Sequence, residues 1–200
     1  MTILEKDVYI AHKGDNGACI AMDEYSISHT SSGFLVESNN TVFGINGFQQ
    51  KSVLKTDSGW LMQELHVIIE SLKIEMCASV NDGRLFIKQN LSGTNFEKNI
   101  DLQSDKYFFM YSGALIIPMI WLRGLDFNNY EKVIYQMLPL GFVEVKQLSD
   151  IVSDKEIRNF SLLMYVQNFI DIVRVQTDMF GKLLSLHSET NQLTIRRISQ

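Results

Sequence analysis

The stretch LKIEMCASVNDGRLFIKQNL, residues 72 to 91, constrains the fold more than any other part of the chain. Leu72, Ile74, Met76, Ala78 and Val80 alternate with polar or small residues, the two-residue period of a strand with one buried face. Asp82-Gly83 then supplies the two positive-φ residues of a tight hairpin turn. That turn sets Val80 opposite Leu85, Ala78 opposite Ile87, Met76 opposite Gln89 and Ile74 opposite Leu91. The other side carries Glu75, Cys77 and Ser79 against Phe86, Lys88 and Asn90. One face is apolar and the other mostly polar, as in an antiparallel sheet covered on one side. A slip of one residue would invert every side chain, so the register is strongly specified.

The same grammar recurs along the chain. ACIAMDEYSIS and GFLVESNNTVFGI are joined by residues 29 to 33, with Gly33 suited to a left-handed turn conformation. GFQQKSVLKTD ends at Asp57-Ser58-Gly59, and LMQELHVIIES then places Leu65, Val67 and Ile69 on one face. FSLLMYVQNFIDIVRVQT is long enough for one bent strand or two; DMFG turns into KLLSLHS, and ETNQ into LTIRRIS. Strands at spacings of roughly 8–12 residues with turn signals between them indicate an all-β sheet, sandwich or barrel. NNYEKVIYQMLPL departs from this, reading as a helix capped by Asn128 or Asn129 and ended by Pro139 and Gly141. The expectation is a single domain, residues 1–200, of about nine to eleven antiparallel strands with one or two helices in its second half. No repeat or linker divides it.

From Tyr107 to Leu122, sixteen residues carry no charge. A membrane-spanning helix needs about 20 predominantly apolar residues, and this run contains Ser112, Gly113 and Pro118. Its aromatic first part suits a strand and Ser112-Gly113 a break, with a short buried helix following from near Pro118. Buried core is therefore expected here, and no membrane span. Residues 1 to 21 show no basic region followed by an apolar run, so the expected location is cytoplasmic if the N-terminus is native and periplasmic if a leader preceded it.

With 46% hydrophobic and 20% charged residues and a net charge of −5, the composition is that of a globular chain with no electrostatic reason to bind nucleic acid. Cys19 and Cys77 read as free, buried thiols. His12, His29, His66 and His187 lie in different elements, and none neighbours a cysteine at a metal-ligand spacing, so neither a metal nor a cofactor is expected. The chain has no Gly-rich phosphate loop, no nucleophile elbow and no C-x-x-C motif. Asp23 and Glu24 point to opposite faces of a strand and read as a solvated pair. Trp60, Trp121 and the nine methionines fit a core as well as a pocket lining.

Four stretches, AMDEYSISHTSSGFLVES, LKTDSGWLMQELHVIIES, IEMCASVNDGRLFIK and IVRVQTDMFGKLLSLHSETNQLTIRR, carry a resemblance in element order. The chain resembles the LolA-like lipoprotein-carrier superfamily and related bacterial domains of unknown function, including the glycolipid-binding family. The resemblance implies an open half-barrel gripping a helix on its concave face, and a lipid, glycolipid or other hydrophobic molecule as partner. It also implies a concave wall of Leu65, Val67, Ile74, Met76 and Ile87, on which the segment around Ile116, Met119 and Trp121 lies as a lid or plug. Two other readings stand beside it. One is a structural or protein-interaction scaffold, a homodimer included, which predicts an exposed apolar patch. The other is an enzyme using His66, His187, Asp23 or Glu64, which requires a histidine and a carboxylate to converge in a cleft.

Overall fold

The computed structural model describes residues 2–14, 17–102, 107–110, 120, 122–123, 131–137, 140–147, 152–153, 156–166 and 169–198. The first half is a meander: β1 (Ile3–Lys13), β2 (Cys19–His29), β3 (Gly33–Val42), β4 (Phe48–Asp57), β5 (Met62–Ile69), β6 (Ile74–Asn81), β7 (Arg84–Leu91) and β8 (Thr94–Asp101). A single 3-10 turn, Glu70–Leu72, links β5 to β6. The second half adds β9 (Tyr107–Met110), β10 (Glu131–Met137), β11 (Leu140–Gln147), β12 (Val152–Ser153), β13 (Ile157–Val166), β14 (Phe169–Asp178), β15 (Leu183–Ser188) and β16 (Leu193–Ile198). All belong to one sheet, ordered β8-β7-β6-β5-β4-β3-β2-β1-β16-β15-β14-β13-β11-β10-β9, with β12 on β13. Among the described residues every pairing is antiparallel except β9 with β10.

Connectivity forces this sheet to curl. β8 and β9 form its two edges, yet six residue steps separate Asp101 from Tyr107. Six extended residues reach about 22 Å, whereas fifteen strands side by side and flat would span about 65–70 Å. The edges must therefore come close. Among the described residues they do not pair; instead β9 lies against β5, three strands in from the other edge.

The hairpin at 72–91 forms in the expected register, with Ile74 opposite Leu91 and Val80 opposite Leu85. Asp82 and Gly83 take φ of 48° and 72°. Residues 157–178 are two strands, β13 and β14. With that division and the hairpin of β10 and β11, the sheet holds sixteen strands among the described residues, more than the nine to eleven read from turn spacing.

Three expectations are corrected. The helix over 128–140 is absent: Glu131–Met137 is a strand between β9 and β11, and Asn128 and Asn129 lie outside the described residues. Its Val-Ile-Tyr centre favours a pleated strand once two neighbours accept its hydrogen bonds. Gly33 is needed for close approach and not for a left-handed φ, because a Cβ there would lie 2.1 Å from the Thr56 carbonyl oxygen. Cys19 and Cys77 are free, as expected, but exposed.

The core lies on the inward face of the curl, where Tyr9, Tyr25, Val36, Leu54, Leu65 and Val173 are nearly fully buried. Among the described residues no helix is long and apolar enough to cross a membrane.

Candidate functional site

Strand parity turns Leu65, Val67, Met76 and Ile87 inward, each at 1% exposure or less, so four of the eight expected wall and plug residues form one buried apolar surface across β5, β6 and β7. Ile74, a row further along, is half-buried. Ile116, Met119 and Trp121 lie outside the described residues. Beside them in sequence, Ile120, Leu122 and Arg123 have 3-10 geometry, and Ile120 and Leu122 join the core cluster of the wall.

This plug is fastened from three sides. Arg123 Nη2 donates to both carboxylate oxygens of Glu5, at 2.8 and 2.9 Å. Its guanidinium also lies 5.1 Å from the centre of the Trp60 ring, which stacks on Phe34 at 3.9 Å. Asp57 Oδ1 accepts the N–H groups of Gly59 and Leu61, tightening the β4–β5 turn until Trp60 adopts φ 67°. From the third side comes the β14–β15 turn, where Asp178 Oδ1 accepts from Phe180 and Lys182. Its Gly181, at φ 79°, approaches so closely that a Cβ would lie 2.9 Å from Arg123 Cα. Two turns of the same Asp-based chemistry thus press on one segment.

Glu5 belongs to a largely buried charge network. Lys182 Nζ lies 3.2 Å from Glu5 and 3.0 Å from Asp7, Arg197 pairs with Asp7, and the Tyr25 hydroxyl donates to Glu5. Tyr9 stacks on Tyr25 and donates to the Leu183 carbonyl at 2.6 Å. Burial pushes the Glu5 carboxyl up, but Arg123, Tyr25 and Lys182 outweigh it and hold its pKa below the ordinary value. Asp7 follows the same pattern, with burial opposed by Lys182, the Val8 N–H and Arg197. Burial also raises both tyrosine hydroxyls, so they remain neutral donors.

The inner wall is not apolar throughout. Register aligns Asp23, Asn40 and Gln50 across β2, β3 and β4, with Ser38 and Ser52 in the next row. All five are at 2% exposure or less. Ser38 Oγ donates to Asp23 at 2.5 Å, and Gln50 Nε2 donates to Ser52 Oγ at 2.9 Å. Among the described residues, Asn40 Oδ1 and Nδ2 and Gln50 Oε1 have no partner. Asn40 lies four residues beyond Val36, about 13 Å along the strand and away from the plugged end. The turns at that far end expose Phe43, Ile45, Leu72 and Leu91.

Sequence reasoning missed this polar row. It placed Asp23 and Glu24 on opposite faces, and the structure does so, but Asp23 is fully buried and not solvated. The reading of the histidines also changes: His66 stands opposite Cys77 in the β5–β6 ladder, and its Nε2 is 2.9 Å from Glu75. That convergence lies on the outward face, away from Asp23.

Apolar wall, fastened plug and buried polar row all belong to the inner side of one curled, barrel-like β-sheet. No family model matches the chain, and no curated protein does. Among solved structures it is similar to the beta-barrel-like protein of domain of unknown function DUF1849 from Brucella abortus, with a TM-score of 0.57 at 10% identity, covering 96% of this chain and 93% of that one. A DUF1089 family protein from Pseudomonas aeruginosa gives a TM-score of 0.49 at 12% identity, covering 81% and 87%. The first likeness is one of fold: barrel-like, with function unknown.

Proposed function

We propose that the protein is a non-enzymatic binding module that takes a lipid, glycolipid or other amphiphile into the concave face of its sheet, in the manner of LolA-like carriers. The hydrocarbon part lies along Leu65, Val67, Ile74, Met76 and Ile87 by displacing the plug of Ile120 and Leu122 from that wall; Ile116, Met119 and Trp121, outside the described residues, are the expected lid. The polar part is received by Asn40 and Gln50. One observation carries this reading: the Asn40 side chain is 1% exposed with neither polar atom partnered among the described residues. A buried amide without hydrogen bonds costs about 1–3 kcal/mol, and a ligand hydroxyl or amide removes that cost. The exposed apolar residues at the turns near this row support entry from that end.

The test is native mass spectrometry of freshly purified protein, followed by organic extraction and lipid analysis. A discrete added mass that extracts as lipid is expected. Lengthening a fluorescent fatty-acid probe by two methylenes should tighten binding by about 1.6 kcal/mol, roughly fifteen-fold in Kd. A clean apo mass together with no uptake of fatty-acid or glycolipid probes overturns the proposal and leaves the scaffold reading.

A further inference from the structure

The outward face of the β5–β6 pair assembles a donor set that the spacing in sequence conceals. His66 stands directly opposite Cys77 in the antiparallel ladder, and Glu75, two residues before Cys77, shares its face. One imidazole nitrogen, one carboxylate oxygen and one sulfur lie within 4.8 Å of one another. We propose that His66, Glu75 and Cys77 form a binding site for a zinc-class divalent metal ion, with the fourth position open to solvent. The site lies on the other face of the sheet from the concave wall and does not depend on what that wall binds.

The geometry suits the ion. With bonds of about 2.0–2.3 Å in a tetrahedron, donor atoms stand about 3.4–3.6 Å apart. The hydrogen-bonded pair, His66 Nε2 and Glu75 Oε1 at 2.9 Å, opens by about half an ångström to admit the metal, and the sulfur moves inward by about an ångström at most. Both strands are held by neighbours on their other sides, β4 and β7, so the Cα framework of the three ligands is rigid. An imidazole, a carboxylate and a thiolate around a divalent ion give a neutral centre, which lowers the cost of its partial burial.

The surroundings fit a site with an open position. A groove of about 460 Å³ runs alongside, and His66 and Cys77 line it together with Val53, Phe86, Lys55 and Lys88. Val53 is the cross-strand neighbour of His66, and Lys88 that of Cys77. A free cysteine thiol ordinarily carries its proton at neutral pH. Metal binding therefore releases one proton from Cys77 Sγ to solvent, and affinity rises with pH. The competing account is an exposed His66–Glu75 hydrogen bond, worth about 0.5–1.5 kcal/mol, beside a thiol of no consequence. That account does not require the sulfur to sit with the other two donors, and it predicts no spectroscopic change with metal.

Cobalt(II) is the probe, added to the chelator-stripped full-length chain under reducing conditions. The expected result is one equivalent bound, with a near-ultraviolet sulfur-to-cobalt charge-transfer band and the strong visible bands of a tetrahedral ion, all removed by equimolar zinc. Cys77→Ser should abolish the charge-transfer band, His66→Gln and Glu75→Gln should each weaken binding about ten-fold or more, and Cys19→Ser should change nothing. Zinc should also protect Cys77 from alkylation in the Cys19→Ser chain. These positions are outward-facing, and unchanged circular dichroism of the variants checks that they fold. No charge-transfer band with the unmodified chain, or the same cobalt spectrum in Cys77→Ser, overturns the proposal.

Discussion

Asn40→Leu should stabilise the empty protein and weaken its binding of amphiphiles. The side chain is 1% exposed, and Oδ1 and Nδ2 have no partner among the described residues. Each unsatisfied buried group costs about 1–3 kcal/mol. Part of that is relieved by small adjustments of Ser38, Ser52 and Gln50, so about 2 kcal/mol is a fair figure for the side chain as a whole. Leucine has nearly the same size and no polar atom, and near the end of β3 it faces Gln50 and Asp23. For a chain of 200 residues, each kcal/mol moves Tm by about 2–4 °C, so delipidated Asn40→Leu should melt about 4–8 °C higher in calorimetry. The opposite sign is expected in probe binding, because the substitution removes the groups that receive the polar part of the ligand. A trade of stability against function is what a site kept unsatisfied for its ligand predicts. Asn40→Leu melting lower than the parent by several degrees, with binding intact, would mean that the amide is already engaged inside the fold, and the reasoning would fail.

Leu122 is 0% exposed in the core cluster, so Leu122→Ala should cost about 2–5 kcal/mol in urea unfolding; a loss under 1 kcal/mol would show the plug to be loosely seated. Glu5 and Asp7 bind protons more weakly in the folded chain than in the unfolded one. Their contribution to stability is therefore complete above the ordinary values of 4.5 and 3.8 and is lost as pH falls through their lowered native values. Unfolding measured from pH 7 down to pH 3 should show that loss, and a flat profile would contradict it. Arg123→Met leaves Glu5 buried with one cation fewer, should cost about 3–5 kcal/mol, and should shrink the part of the acid dependence that belongs to Glu5.

How much of this was legible depends on the range over which the deciding partner lies. The 72–91 hairpin was readable to the residue because its turn, Asp82-Gly83, and both alternating runs are adjacent in sequence. Residues 131–137 were not, because what makes them a strand is pairing with 107–110 in parallel, twenty and more positions away, and a segment with a helix-like cap carries no sign of that neighbour. The polar row escaped for a different reason. In β3 the run Ser38-Asn39-Asn40-Thr41 is polar on both parities, so nothing in it distinguishes inward Asn40 from outward Asn39. The His66–Glu75–Cys77 cluster, by contrast, was within reach. The β5 parity that points Leu65 and Val67 inward also points His66 outward, and the hairpin register already placed Glu75 and Cys77 on that face. Only the β5–β6 pairing was missing.

The width of the sheet bears on what its interior must contain. About eight strands close around a space that side chains can fill, and sixteen or more in a regular barrel leave a channel. A sheet of sixteen described strands, its edges drawn together by the short connection from β8 to β9, has more wall to accommodate than the roughly eight strands whose side chains fill a closed barrel. The chain meets this in two visible ways: β9 lies against β5 without completing a ring with β8, and the plug of Ile120 and Leu122 occupies one end. Both devices act near the charge network and the wall of β5, β6 and β7. Neither supplies a hydrogen bond to Asn40 or Gln50, roughly 13 Å along the strands. The unpartnered amide atoms of Asn40 among the described residues, at the end away from the plug, are the feature on which the proposed binding module rests.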